Sequence, residues 1–185
     1  MDSLENNFAI SEFIQDISKL QKMKDELNKL FSEGYNKINQ DYGLSDMLHT
    51  MHEIAVCLDN KLMIDYLNEI HQIMSLLFAY YQTDRLSYIP CPIIFSHIGK
   101  NLAEVLTILQ DYKDNVKDSI ELEQPYFFSF PEEGVVDRTY TINLSLFCDR
   151  VAEVLANLKE LAKETAAQAN KITASYRGEE PNGFS

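Results

Sequence analysis

Apolar residues recur at alternating steps of three and four along four separate stretches, and this spacing limits the fold more than any other feature. The first stretch carries Ile10, Phe13, Ile17, Leu20, Leu27, Phe31 and Ile38, interrupted by Lys24 and Gly34. The second has Leu48, Met51, Ala55 and Leu58, then resumes one residue out of phase with Met63, Tyr66, Ile70, Ile73, Leu77 and Tyr80. The third reads Phe95, Ile98, Leu102, Val105, Leu109, Tyr112 and Val116. The fourth reads Leu144, Phe147, Val151, Val154, Leu158, Leu161, Thr165 and Ile172. Steps of three and four keep one stripe on one side of an α-helix, so each stretch predicts a helix with one seam to bury. None of the four contains an internal proline.

Local punctuation agrees with this division. Asn7 or Ser11 suits the start of the first helix, with Gly34 and Gly43 at its exit, and Ser45 suits the start of the second. The phase shift near Asn60 predicts a kink or local unwinding within a second helix that otherwise runs to about Gln82. Pro90 and Pro92 stop it, and the third helix begins near Ile93. Asn143 or Ser145 can cap the fourth, which Gly178 ends. Residues 1–177 then form one helical domain, and 178–185, RGEEPNGFS in part, form a disordered tail. Between the third and fourth helices, PYFFSFPEEGVVDRTYTIN (125–143) has aromatic and β-branched residues around a turn-like PEEG, which predicts a small β-hairpin or an extended strap. The expected fold is all-α: an antiparallel four-helix bundle of long helices, roughly 40 to 55 Å in length. Completion of some seams by a second copy, giving a homodimer, is the alternative arrangement.

Charge is distributed unevenly. Residues 38–137 hold 16 acids against 5 bases, while 138–185 hold 6 of each, within a total of −13. Such a field repels duplex DNA and anionic membranes and attracts a basic protein surface. The longest apolar run, Ile73 to Tyr81, is about half of what a bilayer crossing needs, and MDSLENNFAI has no secretory character, so a cytoplasmic protein is expected. Cys57, Cys91 and Cys148 are widely spaced with no CxxC pair, which reads as reduced, buried thiols rather than a disulfide or zinc framework. The PCP around Cys91 reads as a rigid turn, and no cofactor is expected.

These features point to a non-enzymatic acidic helical protein that binds a basic protein partner, in an inhibitor, immunity or chaperone-like role. The acids assigned to that contact are Asp46, Glu53, Asp59, Asp65, Glu69, Asp111, Asp114 and Asp118. Nucleophilic catalysis finds no support, since there is no GxSxG and no phosphate-cradling glycine loop.

Two clusters still carry chemical interest. In FSHIGKNL, His97 is followed by Lys100 and Asn101 at three and four positions. This stretch resembles the H box of sensor histidine kinases, in which a histidine on a helical bundle accepts phosphate. The resemblance spans about seven residues. It departs from the pattern at Ile98, where an acidic neighbour usually follows, and at Leu102, where a proline is usual. It is also similar to histidine phosphotransfer domains, although their Lys-Gly order is here Gly99-Lys100. That resemblance implies an alternative function, a phosphotransfer bundle with His97 as acceptor and Lys100 stabilising the phosphoryl charge. The helical phase places His97 off the seam and in solvent, as that role requires.

The second cluster is DMLHTMHE. Asp46, His49 and Glu53 lie near one helical face, with His52 one turn from His49. Carboxylate-bridged metal bundles need acid-x-x-His pairs on two helices, and this chain offers one, Asp46 with His49. The order HTMHE is not the HExxH of zinc peptidases, so a hydrated polar face is expected and no metal. A third alternative function is a self-associating structural subunit that uses the heptad seams.

Overall fold

The computed structural model describes residues 2–82, 91–123 and 139–178. They form α1 (Asp2–Gln40), α2 (Leu44–Cys57), α3 (Lys61–Gln82), α4 (Cys91–Asn115), β1 (Ser119–Glu123), β2 (Thr139–Asn143) and α5 (Leu144–Arg177). The chain is mostly helical, with five helices and one small antiparallel sheet among the described residues, where the heptad pattern pointed to four long helices.

The extra boundary falls at the phase shift. α2 stops at Leu58, Asp59 turns left-handed at φ 50°, and the Asn60 side chain accepts a hydrogen bond from the Met63 amide (3.0 Å), capping α3. The backbone amides of Leu58 and Asn60 return to the carbonyls of Ile54 and Ala55, which satisfies the last turn of α2. The expected kink is thus a full break between two helices. At the start of α2 the cap is Gly43, at φ 66°, not Ser45; the Ser45 hydroxyl donates instead to Asn39 Oδ1 at 2.9 Å. Asn143 caps α5 by accepting from the Leu146 amide, and Gly178, at φ 73°, ends it.

A single apolar core draws on α1 through Ile38, on α2, α3 and α4, on β1 through Ile120 and Leu122, and on α5. Phe95, Leu102, Val105 and Leu109 of α4 lie fully buried, as do Leu48, Met51 and Ile54 of α2, and Val151 of α5. Gly34, expected at the exit of the first helix, lies inside α1. A Cβ there would stand 3.1 Å from the Phe95 ring, so α1 approaches α4 closely only because this position lacks a side chain.

The first half of α1 overturns an expectation. Ile10, Phe13, Ile17 and Leu20 were expected to fill a seam, yet each is at least half exposed. Every side chain from Ala9 to Lys22 is exposed, so here α1 is a single helix with no neighbour on any side among the described residues. The seam is covered only further along, where Phe31, Tyr35 and Ile38 meet the body of the protein.

The hairpin is present but displaced. β2 lies inside 125–143, whereas β1 precedes Pro125. The two pair in antiparallel register from Ser119 opposite Asn143 to Glu123 opposite Thr139. Their connection, 124–138, lies outside the described residues, as does the expected tail beyond Gly178. No described helix is long and apolar enough to cross a membrane.

Candidate functional site

The acidic residues concentrate where four helix ends meet the hairpin. Cys57 Sγ, at the end of α2, lies 3.9 Å from the Glu121 carbonyl oxygen of β1, and β1 begins only a few residues after the last turn of α4. This brings Asp59 to the same end of the molecule as Asp111, Asp114 and Asp118, all four exposed. Glu121 and Glu123 join them, pointing outward from β1 while Ile120 and Leu122 point into the core. α2 and α4 end here, adding the negative poles of two helix dipoles, while α3 and α5 begin here, adding two positive poles, the Leu144 amide of α5 donating to the Asp118 carbonyl at 2.9 Å. Lys61, Lys113 and Lys117 are the neighbouring cations, outnumbered by the acids. Among the described residues the only lysine–carboxylate approach within 4 Å is Lys113 to Asp114, at 3.9 Å.

The remaining assigned acids lie elsewhere. Asp46 is exposed in the first turn of α2, a full helix away, and Asp65 and Glu69 lie one and two turns into α3. Glu53 is only partly exposed and already engaged. The Tyr140 hydroxyl donates to its Oε2 at 2.7 Å, and His49 Nε2 lies 3.3 Å from its Oε1. Burial, with the Glu53 carboxylate as acceptor and nearby negative charge, pushes the Tyr140 phenol up to about 12. The Glu53 contact therefore fastens the hairpin to α2.

His97 stands in solvent on α4, as its helical phase requires. Its Nε2 lies 2.9 Å from Glu69 Oε1 of α3, with both side chains about half exposed. An acid from the neighbouring helix thus reaches the imidazole, although Ile98 does not supply one. Lys100, one turn on, shares with His97 a shallow, mainly apolar groove of about 400 Å³ that is also lined by Ile73, Ile93, Ile94 and Ser96. Asn101 does not face the groove. It is buried, and its Nδ2 donates to the His97 carbonyl at 3.2 Å.

The DMLHTMHE residues do not converge into a ligand set. His49 and Glu53 pair with each other, and His52 turns inward with Nδ1 buried and unpartnered. Among the described residues no three histidines, cysteines or carboxylates are grouped to hold a metal. Of the cysteines, Cys148 is buried and its thiol is pushed up by that burial, while Cys57, expected buried, is exposed.

Three contributors escaped the sequence reading: Glu121 and Glu123 at the acidic end, and Tyr140 as the partner of Glu53. A signal existed for the first two in the strict alternation SIELE, which is strand-like but abuts a heptad helix. Glu69 was assigned to the acidic face without its His97 partnership, which only the packing of α3 on α4 creates.

Comparison with known proteins adds no relative: no family model, no curated protein and no solved structure matches the chain.

Proposed function

We propose that this chain is a non-enzymatic binding protein whose acidic end docks a basic surface on another protein, as an inhibitor, immunity protein or chaperone would. The observation that carries this reading is the exposed set Asp59, Asp111, Asp114, Asp118, Glu121 and Glu123, gathered where four helix ends meet one strand and opposed by few cations. Repulsion among these acids destabilises the fold, and a cationic partner removes it. Asp46 and Asp65 extend the negative surface along α2 and α3 and steer the approach rather than make the central contact. The test compares the native chain with an Asp59→Lys/Asp111→Lys/Asp118→Lys variant as bait in host lysate. Basic proteins are expected on the native chain, released by about 0.5 M salt as screening shortens to a few ångströms, and absent from the variant. Equal capture by both baits contradicts the reading.

One observation favours a second reading. The Glu69 carboxylate beside His97 Nε2 supplies the acidic partner that the H-box resemblance otherwise lacks. With Nε2–H donated to Glu69, the lone pair on Nδ1 is the nucleophile, and Lys100 lies one turn away to balance a phosphoryl group. Incubation with acetyl phosphate or phosphoramidate is then expected to give an acid-labile, base-stable phosphohistidine on the native chain. The His97→Gln chain should stay unlabelled. No label on the native chain removes this reading.

A further inference from the structure

We infer that the free half of α1 is a self-complementary dimer surface that pairs antiparallel with the same segment of a second copy of this chain. Ile10, Phe13, Ile14, Ile17 and Leu20 are 50 to 65% exposed on a stretch of helix, Ala9 to Lys22, that no other described residue covers. A solvated helix of this length carries no packing energy of its own, and its apolar stripe continues the seam that Phe31 and Ile38 bury further along.

The spacing names the occupant. With the two helices antiparallel and centred near residue 15, Ile10 faces Leu20 of the second copy and Phe13 faces Ile17. The same layers repeat across the two-fold axis. The seam positions that bound this stripe are polar, Asn6 and Lys24, and in the same register they fall opposite each other. Ile14, at the flank of the stripe and one residue from the axis, lies beside the second Ile14 on the same side. On the other flank the two Asp16 come near, each with Lys19 one turn away on its own helix as an offset. A parallel pairing would instead stack Lys24 on Lys24 and bring two chains of −13 side by side. The antiparallel one puts the two acidic bodies at opposite ends. Five side chains about 100 Å² exposed apiece, with the stems of the flanking charged residues, reach about 600 Å² per partner, the lower end of specific interfaces.

The experiment is sedimentation of the native chain, with a Phe13→Glu/Ile17→Glu variant and circular dichroism as a check on folding. At about 100 µM the native chain is expected at twice the mass of the 21.3 kDa chain. The variant is expected at the single mass with a cooperatively folded core, its helicity falling by no more than the freed half of α1 contributes. The register is read by oxidative cross-linking in a background with Cys57 and Cys91 replaced by serine. A mixture of Ile10→Cys and Leu20→Cys chains should join, and Phe13→Cys chains alone should not. A monomeric native chain at that concentration assigns the stripe to some other occupant and overturns the inference, as does a dimer that survives the double substitution. Self-joining of Phe13→Cys chains overturns the antiparallel register. The acidic end takes no part in these outcomes.

Discussion

The Tyr140–Glu53 contact shows how one residue pair sets a property of the whole chain. The phenol holds its proton up to about 12 in the folded protein, whereas an unfolded tyrosine releases it near 10. Between those values the folded state binds more protons than the unfolded one, so stability must fall as pH rises from about 10 to 12. Below pH 10 the contribution is fully present. Tyr140→Phe is expected to remove that alkaline dependence and to cost about 1 kcal/mol at neutral pH through the lost hydrogen bond. Urea midpoints measured across pH 7 to 12 in both proteins check this. A native midpoint that stays level across the alkaline range contradicts the assignment. Neither partner was legible in the sequence: Glu53 reads as one acid of a charged face and Tyr140 as one residue of a strand. Only the packing of the hairpin on α2, 87 residues apart in sequence, joins them. The exposure of His97 was legible, because helical phase alone takes it off the seam. The burial of Asn101, four residues on and close to the same helical face, was not legible in that way.

Among the elements, the break between α2 and α3 falls where the apolar spacing slips, although the spacing suggested a kink within one helix and the structure has two. The one-residue slip in the apolar spacing near Asn60 required the helix to rotate its stripe. The chain does so with a left-handed Asp59 and a fresh cap from Asn60. Asn60→Ala is expected to lower stability by about 1 kcal/mol, and Asn60→Ser to recover most of it, since serine can also accept from the Met63 amide. Urea denaturation of the three proteins decides the matter, and equal midpoints for the alanine and native chains contradict it. β1 was missed because its alternation is five residues long and follows a helix without a strong breaker. The first half of α1 was misjudged for a different reason. A heptad stripe reports that something covers it, not whether the cover is the same chain. α5 ends at Arg177, before it can run beside that half of α1, so no described residue covers the stripe. Amphipathic spacing therefore located the helical stretches among the described residues but neither divided α2 from α3 nor assigned partners to seams.

For the molecule as a whole, the helical class follows from the spacing of apolar residues, and the negative surface follows from where the remaining acids land once those residues are inside. The sequence placed the acids in the middle of the chain. The fold gathers some of them at one end, because α2, α4 and β1 meet there, and leaves Asp46 a helix length away. That convergence depends on the turn after α4 and on the hairpin register, neither of which composition reveals. The most direct test of the acidic end as a docking surface is a titration of the isotopically labelled chain with a lysine-rich peptide, followed by amide chemical shifts at low salt. Shifts are expected to concentrate at residues 57–61 and 111–123 and to fade by about 0.5 M salt, where the screening length has shrunk to a few ångströms. Shifts spread evenly over the helices, or confined to the apolar stripe of α1 and unchanged by salt, would contradict the account.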